Sequence, residues 1–255
     1  MADIVFFQST PLRTFGLIGY PLSHSFSEKY FTEKFSREQI NDCRYELYPI
    51  RSVDEVKQLI RSFPHLKGLN VTIPYKQQII KLLTDASEIP EGIRACNCIK
   101  IEGKILIGYN TDCIGFEKSF TPLLQPHHKK ALVLGTGGAA AAVVYVLKKL
   151  GINFTSVSRS PLQSSVIKYS DLNEKKLKEY NIIINTTPLG MYTQTDSCPP
   201  LPYQAITEKF LLYDLVYNPA QTLFLSKGAA KGAAIKNGEE MLILQAEESW
   251  KIWNS

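Results

Sequence analysis

Four short polar stretches carry the side chains best suited to chemistry: Ser23-His24-Ser25-Phe26-Ser27, Asn70-Val71-Thr72-Ile73-Pro74-Tyr75-Lys76, Asn97, and Asn110-Thr111-Asp112. Each follows or immediately precedes a predicted strand. In α/β sheets, ligands bind in the crevice at the carboxyl ends of strands. Hydroxyls, amides, one amine and one carboxylate could therefore converge on a polyhydroxylated ligand. Each stretch also has a plain structural use. Ser27 can cap a helix, His24 can be a satisfied structural histidine, Lys76 a helix-surface lysine, and Asp112 the cap of the next helix. Spacing alone does not choose among these readings.

A second constellation is continuous in sequence. Ala131-Leu132-Val133-Leu134 reads as a short buried strand. Gly135-Thr136-Gly137-Gly138-Ala139-Ala140 then fits the pattern G-x-G-x-x-G/A. An alanine-rich helix follows to Leu150, capped by Gly151, and Ile152 to Val157 supplies the second strand of a β-α-β unit. Gly135 permits a tight turn, Gly137 lets a pyrophosphate approach the backbone, and small Ala140 lets the helix lie close to the strand. Free N–H groups and the helix dipole favour an anion at that point. In this context the motif points to a dinucleotide. The second strand ends at Ser158-Arg159-Ser160, with no acid from Gly151 until Asp171. An acid there would accept from a ribose 2′-hydroxyl, whereas a guanidinium suits a 2′-phosphate. The expected cofactor is NADP.

The elements that must position these groups alternate between strand and helix. Strands are predicted at Phe15–Gly19, Tyr45–Tyr48 and Gly68–Ile73, and helices from Ser27 to about Gln39, from Val53 to Phe63 and from Pro74 to Leu83. After a loop from Thr84 to Gly92, Ala95–Ile101 and Lys104–Tyr109 read as a hairpin around Glu102-Gly103. The first sheet is expected to be mixed and largely parallel. Asn110 to Phe120 reads as a hinge and linking helix. Beyond Arg159 come a helix near Leu172–Tyr180, a strand at Ile182–Ile184, a strand at Leu211–Leu215, a helix at Thr222–Ala229 and a last helix from Glu239 to about Trp253. The loop Asn185 to Pro202 holds four prolines and one glycine, too broken for regular structure. The fold class is α/β, with an N-terminal mixed-sheet substrate domain plus a Rossmann-type dinucleotide-binding domain. The expected boundaries are 1–112, with the 239–255 helix packing back on it, and 113–238.

A chain of 255 residues, 44% hydrophobic and 21% charged, has apolar material for two ordinary cores. No run is long enough to cross a membrane, and the start lacks the form of a secretory signal, so a cytoplasmic location is expected. Residues before Thr14 read as a dispensable extension. The net charge of +5 is mild and has no dense basic cluster, which argues against nucleic acid and suits small anions. The five cysteines include no C-x-x-C pair. Cys96 and Cys98 read as buried thiols, with metal binding the less favoured alternative, and no metal is expected.

GYPLSHSFS, NVTIPYK, ACN, YNTD, the GTGGAA turn and MLILQA occur in order from about Thr14 to the C-terminus. Together they resemble shikimate dehydrogenase. The resemblance implies NADPH-dependent reduction of 3-dehydroshikimate to shikimate, on the route to aromatic amino acids, by a two-domain enzyme with its active site in the cleft. It implies that Lys76 and Asp112 form the catalytic pair. Ser25 and Ser27 would hold the substrate carboxylate, Thr72, Asn97 and Gln245 the ring hydroxyls, and Tyr217 would face the substrate. Gly135, Thr136, Gly137, Gly138 and Ala139 would hold the pyrophosphate, Ser158 and Arg159 the adenosine phosphate, and Leu215 and Gly238 would lie near the nicotinamide. Two departures stand out: a second basic residue is missing near Gln163, and Glu239 and Glu240 follow Gly238. The rival readings are an NAD-using quinate/shikimate dehydrogenase and a catalytically silent dinucleotide sensor. The partner is a small molecule, and the chain is expected to be a monomer or homodimer.

Overall fold

The computed structural model describes residues 12–22, 25–160 and 164–255. The chain divides into two compact units, one of Met1–Glu88, Cys96–Tyr109 and Lys251–Ser255, the other of Ile89–Ala95 and Asn110–Trp250.

The first unit contains β1 (Arg13–Gly19), α1 (Phe26–Arg37), β2 (Cys43–Pro49), α2 (Val56–Ser62), β3 (Leu66–Val71), β4 (Cys98–Glu102) and β5 (Ile105–Tyr109). The sheet order is β2-β1-β3-β4-β5. β1 is parallel to β2 and β3, whereas β4 is antiparallel to β3 and β5. The sheet is thus mixed, but its pairings are half parallel rather than largely so. The cause is the β4–β5 hairpin, whose turn uses Gly103 at φ +64°. A hairpin adds an antiparallel strand with two linking residues, where a parallel one needs a long crossover.

Aromatic packing fills this unit. Phe15 stacks on Trp253 at 4.8 Å and Phe31 on Tyr45 at 4.6 Å. The Trp253 indole N–H donates to the Ile99 carbonyl at 3.0 Å. A side chain at Gly68 would collide with that ring, its Cβ falling 2.2 Å from Nε1. The chain's last residues therefore complete the core built by its first strands.

The second unit contains α3 (Thr111–Phe120), β6 (Lys130–Leu134), α4 (Gly138–Lys149), β7 (Asn153–Ser158), β8 (Val166–Lys168), α5 (Glu174–Leu177), β9 (Ile182–Asn185), β10 (Leu211–Asp214), α6 (Leu223–Ala229), β11 (Ala234–Lys236) and α7 (Glu239–Asn254). The last turn of α7 counts with the first unit, and its residues through Trp250 with the second. The sheet order is β11-β10-β9-β6-β7-β8, and every pairing is parallel. Numbered from β6, this is the 3-2-1-4-5-6 order of dinucleotide-binding sheets, with the order reversing beside β6. Ala131 and Val133 pack toward α3 and α4, while Leu132 and Leu134 face the opposite layer with Leu177, Phe224 and Leu225. Burial on both faces explains why β6 reads as a continuous apolar run rather than an alternating one.

Four elements differ from the sequence reading. The helix expected at Pro74–Leu83 is a series of turns followed by a 3₁₀ segment at Gln78–Leu82, because Tyr75 N–H bonds three residues back to Thr72. The helix expected at Leu172–Tyr180 shrinks to α5, which buries only Leu177, too little apolar contact to sustain a longer helix. β8 and β11 are three-residue edge strands, too short to show a period. Cys96 and Cys98 are buried thiols that form no disulfide among the described residues. Among the described residues, no helix is long and apolar enough to cross a membrane.

Candidate active site

In the first unit, the polar groups cluster around the carboxyl ends of β1 and β3. Ser25 is the N-cap of α1 and accepts from the Glu28 N–H at 3.3 Å. It takes the capping role that the sequence reading offered to Ser27, and Ser25-x-x-Glu28 is the spacing that signals it. Ser27 lies two residues on, in the first turn, half-buried, and its hydroxyl reaches the Tyr45 phenol. That phenol donates to Asn70 Oδ1 at 2.8 Å, and Asn70 Nδ2 donates to the Asn97 carbonyl at 3.2 Å. The result is a buried polar chain running from Ser27 to Asn97 beneath the sheet end. Burial pushes the Tyr45 pKa up, the Ser27 bond opposing it, so the phenol stays protonated and able to donate. Tyr45 was missed as part of the site. Its signal was a phenol on the buried face of a strand, a group that requires a partner.

Thr72 directly follows β3, and its N–H bonds to the Ile18 carbonyl at 2.9 Å. Lys76 is half-buried in the following turns, and its carbonyl accepts from Cys96 N–H at 2.7 Å. Asn97 is buried, with its N–H on the Tyr109 carbonyl at 3.1 Å and its carbonyl on Val71 N–H at 2.9 Å. The backbones that carry Thr72 and Asn97 are thereby tied to strands, and that of Lys76 to Cys96 just before β4, although the residues themselves lie in loops.

In the second unit, Asn110 rather than Asp112 caps α3, accepting from Cys113 N–H at 3.1 Å and donating to the Ala95 carbonyl at 2.8 Å. Asp112 is buried in the first turn of α3, where the helix dipole favours a carboxylate. Gln245, on α7, is buried beside Thr111 and Ser249. The two hydroxyls lie 3.2 Å apart, and Ser249 bonds back to the Gln245 carbonyl at 2.9 Å. Gly115 permits this approach of α3 and α7, since a Cβ there would sit 2.6 Å from the Met241 carbonyl oxygen.

The glycine turn fits a dinucleotide. Gly135 has φ +113°, and an added Cβ would meet Thr186 Oγ1 at 2.5 Å. Gly137 is the N-cap of α4 without any side-chain capping bond, and a Cβ there would meet nothing within 4 Å. The first N–H groups of α4 therefore face open space, as a pyrophosphate requires. Thr136 is exposed and Gly138 and Ala139 are half-buried at the same helix start. A cavity of about 670 Å³ opens from Gly135, Thr136 and Gly137 and extends past Ser156 to Ser160, with Arg94 and Lys148 on its wall. Arg94 carried no sequence signal, because a lone arginine in a loop reads as solvated surface. Ser158 ends β7, and Arg159 follows it, exposed.

At the other end of the sheet edge, Leu215 and Gly238 are brought together. A Cβ on Gly238 would lie 2.1 Å from the Leu215 carbonyl oxygen, and Gly238 N–H bonds to Val216. Tyr217 is half-buried close by in sequence, its pKa raised by burial. Glu240 pairs with Lys236, and both acids after Gly238 are exposed at the start of α7, which accounts for them as helix-terminal charges.

A buried knot behind this edge had no sequence signal. Asp214 is fully buried and accepts from Asn185 Nδ2 at 2.9 Å, Val216 N–H at 3.0 Å and the Thr222 hydroxyl at 2.6 Å. Asn185 in turn accepts from the Thr187 hydroxyl at 2.6 Å. Burial raises the Asp214 carboxyl to about 6, its three donors opposing the rise. The knot joins the loops after β9 and β10, and Thr186 ties the first of them to the glycine turn by donating to the Leu134 carbonyl at 2.7 Å. Ser23, His24, Gln163 and the proposed N-terminal extension through residue 11 lie outside the described residues.

Residues 17–99 match the family model described as shikimate dehydrogenase substrate binding domain. A shikimate dehydrogenase (NADP(+)) of Methanococcus aeolicus is 35% identical over 93% of this chain and 90% of its own. A chorismate mutase/shikimate 5-dehydrogenase fusion protein from Clostridium acetobutylicum superposes with a TM-score of 0.85 at 35% identity, covering 96% of this chain and 92% of that one. Shikimate 5-dehydrogenase from Thermus thermophilus, solved with NADP(H) and shikimate, gives 0.82 at 27% identity over 95% of this chain and 93% of that one.

Proposed function

The chain belongs to the shikimate dehydrogenase family, and from that premise we propose how its residues divide the NADPH-dependent reduction of 3-dehydroshikimate to shikimate. Substrate work falls to residues 1–112 and the 239–255 helix, cofactor work to 113–238. Ser25 and Ser27 grip the substrate carboxylate, Thr72, Asn97 and Gln245 read the ring hydroxyls, and Tyr217 faces the ring. Gly135 to Ala139 hold the pyrophosphate, Ser158 and Arg159 the adenosine phosphate, and Leu215 and Gly238 border the nicotinamide. The bound cofactor supplies the hydride for the ketone carbon.

Lys76 and Asp112 are the catalytic pair. The Lys76 ammonium stabilises charge developing on the ketone oxygen and gives it a proton. Asp112 orients that amine. The tying of the Lys76 carbonyl to Cys96 supports the role, since a proton donor must be held in place. The bond from Asn70 to the Asn97 carbonyl supports the role of Asn97, because it fixes the backbone that carries that side chain. The reading places the enzyme in the cytoplasm as a monomer or homodimer, without nucleic-acid or membrane partners.

The observation that carries the proposal is the 35% identity to an NADP-linked shikimate dehydrogenase over 93% of the chain. The test follows NADPH absorbance with 3-dehydroshikimate and, in reverse, NADP+ with shikimate or quinate, each repeated with the NAD form. Efficient turnover of the shikimate and NADP pair is expected. Preference for quinate with NAD would assign the rival activity, and no turnover with any pair would make the chain a sensor.

A further inference from the structure

Tyr169 carries a polar atom left unmatched among the described residues. Its hydroxyl oxygen is buried and has no hydrogen-bond partner among the described residues. Buried phenols ordinarily find one, and an unmatched one is destabilising, so an exception calls for a reason. The topology supplies one. β7 and β8 are parallel neighbours with Ser158 opposite Lys168. Arg159 and Tyr169 are the residues that directly follow the two strands. Both therefore step off the sheet at its carboxyl edge, side by side, where a dinucleotide lies.

Two polar groups nearby are already committed elsewhere. The nearby Tyr203 hydroxyl is committed to the Pro199 carbonyl at 2.8 Å. Asp171 is turned onto the Lys168 N–H at 2.9 Å. Burial pushes the Tyr169 pKa up to about 12, with the positive charge of Arg159 opposing the rise, so the group remains a donor throughout the neutral range. A protonated phenol beside a guanidinium offers hydrogen-bond donors and positive charge together, a combination that suits a phosphate.

We propose that the Tyr169 hydroxyl donates a hydrogen bond to the 2′-phosphate of NADP held by Arg159, which makes Tyr169 a cofactor-specificity residue. This rests on the reading of Arg159 given above. It assigns to a neutral donor part of the phosphate recognition that the sequence offered to arginine alone.

Tyr169→Phe removes only the oxygen. The variant should melt no lower than the parent, because the lost group bonds nothing among the described residues. By calorimetry, its affinity for 2′,5′-ADP should fall roughly tenfold, the usual effect of losing a hydrogen bond to a charged group. Its affinity for 5′-AMP, which lacks the 2′-phosphate, should be unchanged. In turnover, the KM for NADPH should rise while that for NADH stays. Arg159→Ala, measured alongside, tests the underlying reading. If Arg159→Ala loses the preference for 2′,5′-ADP and Tyr169→Phe keeps it, the proposal is overturned and the Arg159 reading stands. If neither variant loses it, both fall. Equal weakening of both probes by Tyr169→Phe, or a melting temperature several degrees lower, would likewise overturn the proposal.

Discussion

The two units solve the problem of presenting polar groups to a ligand in different ways. In the second, the groups at the glycine turn are main-chain N–H donors from one continuous stretch, exposed because Gly137 caps α4 with no side chain. In the first, they are side chains from separate segments, held by hydrogen bonds to residues distant in sequence. Ser27 leans on Tyr45 and Asn70, and the Lys76 carbonyl is tied to Cys96. A main-chain site is robust to side-chain substitution and vulnerable to backbone change. A side-chain site is the reverse.

The largest expected effect tests the first half of that contrast. Lys76→Met deletes the amine but keeps much of the stem. If Lys76 supplies the proton, turnover should fall by roughly 100- to 10,000-fold while substrate affinity changes little. Steady-state kinetics beside a melting curve would check it. Turnover within a few-fold of the parent, with only affinity lowered, would make Lys76 a binding residue.

Asp214 is the side chain on which the second unit does depend, and its effect should appear in stability. Its carboxyl is raised from 3.8 to about 6 by burial. The folded protein thus holds this proton more tightly than the unfolded chain does. The contribution is complete below about pH 3.8 and is lost as pH rises through about 6, a difference of roughly 3 kcal/mol. Asp214→Asn cannot ionise, so urea unfolding across that range should show a flatter pH profile for the variant than for the parent. Parallel profiles would mean that Asp214 titrates normally.

The glycine turn separates backbone strain from ligand access. Gly135→Ala forces a left-handed residue and a clash with Thr186, and should lower stability by about 1–3 kcal/mol. Gly137→Ala meets no neighbour and should leave stability within about 0.5 kcal/mol. It should nevertheless raise the KM for NADPH and NADH alike, because the methyl stands where the pyrophosphate approaches. A KM unchanged for both cofactors would move the pyrophosphate elsewhere.

The smallest expected effect is at α1. Ser25→Ala removes the cap and should lower stability by about 1 kcal/mol. If the same hydroxyl meets the substrate carboxylate, shikimate affinity should fall by about 1 kcal/mol as well. Lost stability with unchanged affinity would leave Ser25 a cap only.

What sequence alone decided follows from interactions that are local. The β6–α4–β7 unit was legible because strand, turn, helix and strand occur within thirty-odd residues, and each glycine answers to a dihedral or a close approach. The N-cap at Ser25 was equally local, although the sequence reading set the cap two residues late. The ordered motifs also disclosed the family before any coordinates. Tertiary structure alone decided what depends on distant partners. Tyr45, Asn70 and Asn97 form one polar chain only because β2, β1 and β3 lie side by side and β4 pairs with β3. Asp214 meets Asn185 only because β9 and β10 are neighbours in the sheet. The turns at Lys76 replace the expected helix for a related reason. The Tyr75 hydroxyl is drawn to the Ile50 carbonyl at 2.7 Å, and the Lys76 carbonyl to Cys96. Those partners are twenty or more residues away, so no local propensity or period could report them.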